Sequence, residues 1–497
     1  MNSKNTVAPI SFASAPGLAR LLAVISTGTL LAACSGADIA PEGETTETSD
    51  ALATVYQVGP ARTYKDLSQL ASKLQPGDVV EVDGNATYPA LRLTNSGTAL
   101  AKVTIRGLRV NGQRPVFSGG TNSVEVSADH YILEGLDITG GSSRCFYHHG
   151  DDVTLRDSVV HDCPLQGILG ADSGSGSLTL DYVEVHHAGS GTQNHSIYMA
   201  TDETAHPGSV FRMQHCYVHD ANGGNAVKSR AERNEIYYNW IEGAYYKELE
   251  LIGPDGQDPS LAREDSDVVG NVLRKTRTQF VARVGGDGTG DTNGRYRFVN
   301  NTFILAPGSG PAFQLFDGIE SIEMHNNAFY RQGGGSLAMI DDEAHWSTGA
   351  PIIVGTNNFV PTGSTFPSQW KSTIVGANPG FVDVTNRKLT PVATSPLVNA
   401  GNPLPVSPVG HAIPSPLTAP LELPPAGTLE TVGAALSRLV DTHVDIGAFE
   451  YGTPSGSATS GGTTLSGTPS GGTTSGSATS AGTTSGGATS SGCQARP

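Results

Sequence analysis

Ile236-Tyr-Tyr-Asn239-Trp-Ile241 is followed, after uneven intervals, by Val268-Val-Gly-Asn271-Val-Leu273, Phe298-Val-Asn-Asn301-Thr-Phe303 and Met324-His-Asn-Asn327-Ala-Phe329. Each stretch carries an apolar residue, two variable ones, an amide, one more residue and another apolar. Working outward, the same frame holds at Ile105–Val110, Leu133–Ile138, Leu155–Val160, Leu180–Val185 and Met213–Val218, with small or apolar residues in the fourth place, and again at Val354–Phe359, where the fourth residue is Asn357. The intervals run from 22 to 33 residues. No such unit buries its apolar face alone, so neighbours must stack into a continuous core.

The asparagines specify the kind of stack. One amide at the same place in successive coils suits a turn whose side chains form a hydrogen-bonded ladder. Between the repeats lie short β-branched runs without helical period, so each coil reads as strand, turn, strand. The expected fold is all-β: a right-handed parallel β-helix, a single-stranded solenoid of about ten coils rising by about 4.8 Å each. At its start, Tyr64 to Leu74 has helical spacing and predicts an N-terminal helix capping the open end of the first coil. Segments Ser395–Gly401 and Asp445–Tyr451 resemble the closing segment of bacterial parallel β-helix proteins.

The ends of the chain read differently. Residues 1–33 carry Lys4 and Arg20 before the apolar stretch Leu21 to Ala33, which is too short for a stable span and reads as an export signal. Leu31-Ala-Ala-Cys34-Ser35 resembles a bacterial lipobox, which implies cleavage before Cys34, lipidation of its thiol and an anchored protein. Ser35 in place of an aspartate resembles outer-membrane lipoproteins. The expected location is the bacterial cell envelope, outer membrane, facing the periplasm or the cell surface. Residues 34–53 are an acidic, polar tether, and residues 453–497, almost wholly Ser, Gly, Thr and Ala, cannot build a core. Residues 54–452 form one elongated domain, expected to be monomeric.

Of five cysteines, Cys216 falls at the inward fourth position of its repeat. Cys145 and Cys163 lie in neighbouring coils at different offsets, which leaves a disulfide between them open.

Two long intervals, 180–213 and 236–268, flank one coil containing Val227-Lys228-Ser-Arg230-Ala231. With Val227, Ser229 and Ala231 facing the core, alternation turns Lys228 and Arg230 outward. The same argument turns Tyr198 outward from Ile197 and Met199, and Glu248 and Glu250 outward from Leu249 and Leu251. Stacking predicts a column of Tyr198, Lys228 and Glu250, with Glu248 and Arg230 beside it. His195 stands near Tyr198 as a second candidate for proton transfer.

The chain carries a net charge of −17, yet residues 271–297 hold Arg274, Lys275, Arg277, Arg283, Arg295 and Arg297 against Asp287 and Asp291. A basic stretch on an acidic protein reads as a track for a polyanion. The acidity of the rest argues against nucleic acid, and no nucleotide loop or metal-finger spacing occurs. Histidine also clusters: nine of fourteen lie between His148 and His219, and His161, His186 and His219 follow the last apolar residue of successive repeats.

Lys228-Ser229 followed by Asn234-Glu-Ile-Tyr-Tyr-Asn239 resembles the Lys-Ser strand and following Asn turn of the family-6 polysaccharide lyases, which include alginate lyases and chondroitinase B. More loosely, the whole coil pattern is similar to the pectate-lyase-like superfamily. The family-6 resemblance implies that Lys228 is a general base. Two departures limit it: Ala221 to Ala226 supplies none of the family's acidic calcium ligands, and Ile252-Gly253-Pro254 stands where the family has an Arg-His-Gly acid motif.

The residues themselves suit β-elimination on an acidic polysaccharide. That reaction requires neutralisation of a uronate carboxylate, a base for the C5 proton and an acid for the leaving oxygen. Arg230 or Arg283, with Arg277 along the track, suits the carboxylate, Lys228 the base and Tyr198 the acid. Glu248 and Glu250 would orient Lys228 or hold a calcium ion. Two alternatives remain: a glycoside hydrolase using Glu248 and Glu250, and a non-catalytic glycan-binding or adhesive lipoprotein.

Overall fold

The computed structural model describes residues 53–253, 265–287, 292–342, 345–416 and 420–452. The export signal, Cys34, nearly all of the tether and the Ser/Gly/Thr tail lie outside the described residues.

The chain is a parallel β-helix. Strands of successive coils pair in parallel register throughout a 23-stranded and a ten-stranded sheet, and among the described residues the one antiparallel strand pair is Phe381–Asp383 with Lys388–Pro391. The first position of the repeat forms a continuous column, Ile105, Leu133, Leu155, Leu180, Met213, Ile236, Val268, Phe298 and Met324, each register partner of the next. All of these side chains are buried.

The fourth position supplies the expected amide ladder. Backbone N–H groups of Cys216, Asn239, Asn271, Asn301 and Asn327 donate to the side-chain oxygens of Asn239, Asn271, Asn301, Asn327 and Asn358 at 2.8–3.0 Å. Each asparagine Nδ2 also donates to a backbone carbonyl at the first position one coil back, as from Asn301 to Val268 at 2.8 Å. Both ends of each buried amide are thereby satisfied.

The final rung departs from the sequence frame by one residue. Met324 pairs with Gly355, not Val354, and Asn358 completes the ladder in place of Asn357. The reason lies in the third position, where Asp157, Tyr182, His215, Tyr238, Asn300, Asn326 and Asn357 all have φ between 46° and 57°. This left-handed residue bends each coil from one strand into the next, and asparagine tolerates it well. In the doublet Asn357-Asn358 the first residue makes the bend and the second makes the rung.

The third-position side chains also dock the C-terminal segment. Tyr238 Oη accepts from Leu421 N–H, Tyr182 Oη accepts from Ala435 N–H, and His215 Nε2 lies 2.9 Å from Glu422. Asn300, Asn326 and Asn357 donate to the carbonyls of Asp445, Asn402 and Ala400 at 2.8–2.9 Å. The closing segment is therefore a strap that runs back along the bend.

At the other end the expected capping helix is reduced to a single 3-10 turn, Leu67–Gln69, whose Asp66 caps the Ser68 N–H. A segment this short between Tyr64 and Pro76 cannot sustain an α-helix on its own. Leu67, Leu70 and Leu74 are nevertheless buried in the main core.

Cys145 and Cys163 form a disulfide with Cα atoms 5.7 Å apart, both side chains pointing into the core. Cys216 is a free, buried thiol.

Candidate functional site

The ten-stranded sheet carries the site. Ile197–Ala200, Val227–Arg230, Leu249–Leu251 and Ala282–Val284 are successive strands, and their inward residues Ile197, Val227, Leu249, Leu251, Ala282 and Val284 are fully buried. That packing turns the intervening residues to the other side. Register then stacks Tyr198 on Lys228, Lys228 on Glu250 and Glu250 on Arg283. A cleft of about 490 Å³ opens over this column, lined also by His195, Asn225, Arg230, Lys247 and Asp287.

Glu250 is the electrostatic centre. Its carboxylate accepts from Asn225 Nδ2 at 2.6 Å and faces Arg283 Nε at 2.7 Å, Lys247 Nζ at 3.4 Å and Lys228 Nζ at 3.9 Å. Burial alone would raise its pKa, but these three cations hold it below the ordinary carboxylate value.

Lys228 Nζ lies 5.2 Å from the centre of the Tyr198 ring and 3.7 Å from Asp287. Its pKa is lowered, chiefly by burial; Glu250 opposes the shift, and Arg230 and Arg283 reinforce it. Tyr198 Oη donates to Asp172 at 3.2 Å and accepts from Arg230 Nε at 3.1 Å. Burial raises the phenol's pKa, so it keeps its proton.

Arg230 does not reach solvent, although alternation turns it outward. It is 3% exposed, covered where its guanidinium donates to the Gly253 carbonyl and to Asp287, each at 2.5 Å. Its geometry is that of a brace for Tyr198 and Asp287.

His195 Nδ1 accepts the Asn225 backbone N–H at 2.9 Å, so the neutral ring carries its proton on Nε2. Burial, then the charge of Lys228, push its pKa down to about 4.

The structure separates two expected site residues from the cleft. Glu248 precedes the three-residue strand and sits on the corner leading into it, where alternation fails; it is fully buried, 3.4 Å from the equally buried Lys275. Arg277 is exposed beyond the corner, with its guanidinium over the Tyr245 ring. Nor is the basic stretch a continuous track. Arg274 pairs with Glu242, Arg295 with Asp265 and Arg297 with Asp267, and of the six cations only Arg283 lines the cleft.

Calcium finds no matched donors in the expected pair, because Glu248 faces Lys275 and Glu250 is ringed by three cations. Among the described residues no group of three or more His, Cys, Asp or Glu side chains converges as metal ligands.

Asn225, Lys247 and Asp287 are cleft residues that sequence reasoning did not find. Asn225 and Lys247 stand on corners just before strands, and Asp287 follows the Gly285-Gly286 exit of the next coil; none lies on the alternating frame.

No family model and no curated protein matches the sequence. Among solved structures the chain is similar to pectate lyase Pel9A, with 12% identity over 80% of this chain and 96% of that one, TM-score 0.45. It is similar to a PL6 family polysaccharide lyase from Pseudopedobacter saltans, with 11% identity over 65% of this chain and 91% of that one, TM-score 0.34. A third is the lacto-N-biosidase from Eubacterium ramulus, with 13% identity over 65% and 68% of the two chains, TM-score 0.36. The likeness is one of winding. The chemistry of the cleft rests on this chain's own residues.

Proposed function

We propose that the cleft binds a uronate-containing polysaccharide and cleaves it by β-elimination. The observation that carries this reading is the charge of the cleft: among the described residues, Lys228, Lys247, Arg230 and Arg283 against Glu250 and Asp287 leave two positive charges in excess on a protein of net −17. A carboxylated sugar answers that imbalance.

In this reading Arg283 and Lys247 meet the uronate carboxylate and acidify C5. Lys228, whose burial favours the neutral amine, takes the C5 proton on Nζ. The electrons of the C5–H bond form the C4=C5 double bond, the C4–O bond breaks, and the leaving oxygen takes the proton of Tyr198 Oη. His195 offers a neutral Nε2–H donor beside them. Arg230 and Asp172 hold the phenol in place, and Glu250 aligns the cations.

The hydrolase alternative loses its carboxylate pair, since Glu248 lies outside the cleft and Glu250 is held ionised. A non-catalytic glycan-binding surface would use the same charge without turnover, and the test below separates the two. We also propose that the domain is monomeric and is held at the cell envelope through a lipid on Cys34.

The experiment incubates the protein with alginate, pectate, glycosaminoglycan and glucuronan, with and without calcium, while ultraviolet absorbance follows new double bonds. Absorbance rising with one polymer, and falling by about 10²-fold or more in Lys228→Ala, supports a lyase with Lys228 as base. Binding to a polymer without absorbance in any arm would replace the lyase by a binding module.

A further inference from the structure

A second basin of about 430 Å³ adjoins the corner that separates it from the cleft, lined by His187, Asp220, Glu242, Arg274, Arg277 and Arg387 among others. Its acids are already engaged. Glu242 receives Arg274 at 3.0 Å, Arg387 at 2.5 Å and the Tyr217 hydroxyl at 3.0 Å, and Asp220 lies 2.8 Å from His219. Arg277 differs from the other two arginines. It is exposed and has no carboxylate partner among the described residues, and its guanidinium is held 4.8 Å above the Tyr245 ring. Among the described residues, three arginines against two carboxylates leave the basin one positive charge in excess.

The ridge between the two hollows is aromatic. Tyr245 is 40% exposed and its ring lies 5.1 Å from that of Tyr246, edge to face, while Tyr246 lines the cleft. Tyr246, Tyr245 and Arg277 thus form a contiguous path from the cleft into the basin. Exposed aromatic faces offer apolar surface to the C–H faces of sugar rings, and an unpaired guanidinium offers a planar fork to a carboxylate.

We infer that the basin is a second anion subsite, which takes another carboxylated sugar of the same chain after it crosses the Tyr245–Tyr246 ridge. This rests on the uronate reading of the cleft and adds a chain-length preference to it. Arg277 is the residue that reads the distal carboxylate, and Tyr245 both supports the chain and holds the guanidinium in place.

The test is titration calorimetry of the full chain carrying Lys228→Ala, so that nothing is turned over, with uronate disaccharides and hexasaccharides prepared from pectate and from alginate. The expected result is that the hexasaccharide binds at least about tenfold tighter than the disaccharide, and that adding Arg277→Ala removes most of that gain. Arg277→Lys, which keeps the charge without the fork, should restore part of it, and an unchanged thermal midpoint would show that the fold is intact. If both lengths bind equally, or if Arg277→Ala weakens neither or weakens both alike, the second subsite is overturned while the cleft reading stands. Failure of both lengths to bind the Lys228→Ala protein would overturn the cleft reading as well.

Discussion

The backbone N–H of Asn225 donates to His195 Nδ1 at 2.9 Å, and that single bond decides which face of the imidazole carries the proton. A ring held this way, buried beside Lys228, resists protonation down to about pH 4. The unfolded chain, with an ordinary histidine, binds more protons than the folded one between about pH 6.5 and 4. His195 therefore costs stability as pH falls through that window. Thermal midpoints measured from about pH 7 to 4 should fall more steeply for the parent than for His195→Gln. Equal slopes would remove His195 from the acid response.

The ladder His161, His186, His219 stacks with ring centres 5.1 and 5.0 Å apart, and the pKa shifts alternate in direction along it. Hydrogen bonds donated by the ring to Asp137 and Asp162, partly opposed by burial, raise His161 to about 9. Burial and the two neighbouring rings lower His186, while Glu184 and Asp220 overcome burial to raise His219. Because His161 gains protons on folding, its contribution is complete below about pH 6.5 and is lost as pH rises through about 9. The stability difference between the parent and His161→Gln should be largest near pH 6, shrink as pH rises from about 6.5 and be gone above about pH 9. A difference that grows with pH would contradict the assignment.

Asn301 Oδ1 accepts the Asn271 N–H while its Nδ2 donates to Val268, all without access to water. Truncation to alanine leaves both of those backbone groups unpaired, at a cost of about 3 kcal/mol or more. Asn357 makes one bond to the strap and has φ of 52°, so Asn357→Gly should cost under about 1 kcal/mol. Denaturant unfolding of the two variants should separate them clearly; similar midpoints would deny the ladder its role.

Lipidation at Cys34 predicts that the parent partitions into detergent and Cys34→Ser into the aqueous phase, with a matching loss of the acyl mass from the N-terminal peptide. Equal partitioning would rule out the anchor.

The winding of this protein and the column Tyr198, Lys228, Glu250 follow from local order in the sequence. A repeat that cannot bury itself must stack, and within a strand alternation assigns each side chain to one side. Tertiary structure decided what happens at corners. Glu248 and Lys247 precede a strand of three residues, so no period governs them, and the bend sends one into the core and the other into the cleft. In Asn357-Asn358 the apolar frame Val354–Phe359 points to the first amide, and only the left-handed bend selects the second for the ladder. The charges were likewise unreadable along the chain. Arg274, Arg295 and Arg297 sit within one basic stretch, but successive coils place a carboxylate beside each, because stacking pairs residues some thirty positions apart. The excess that remains, and the cleft in which it collects, exist only once the coils are stacked.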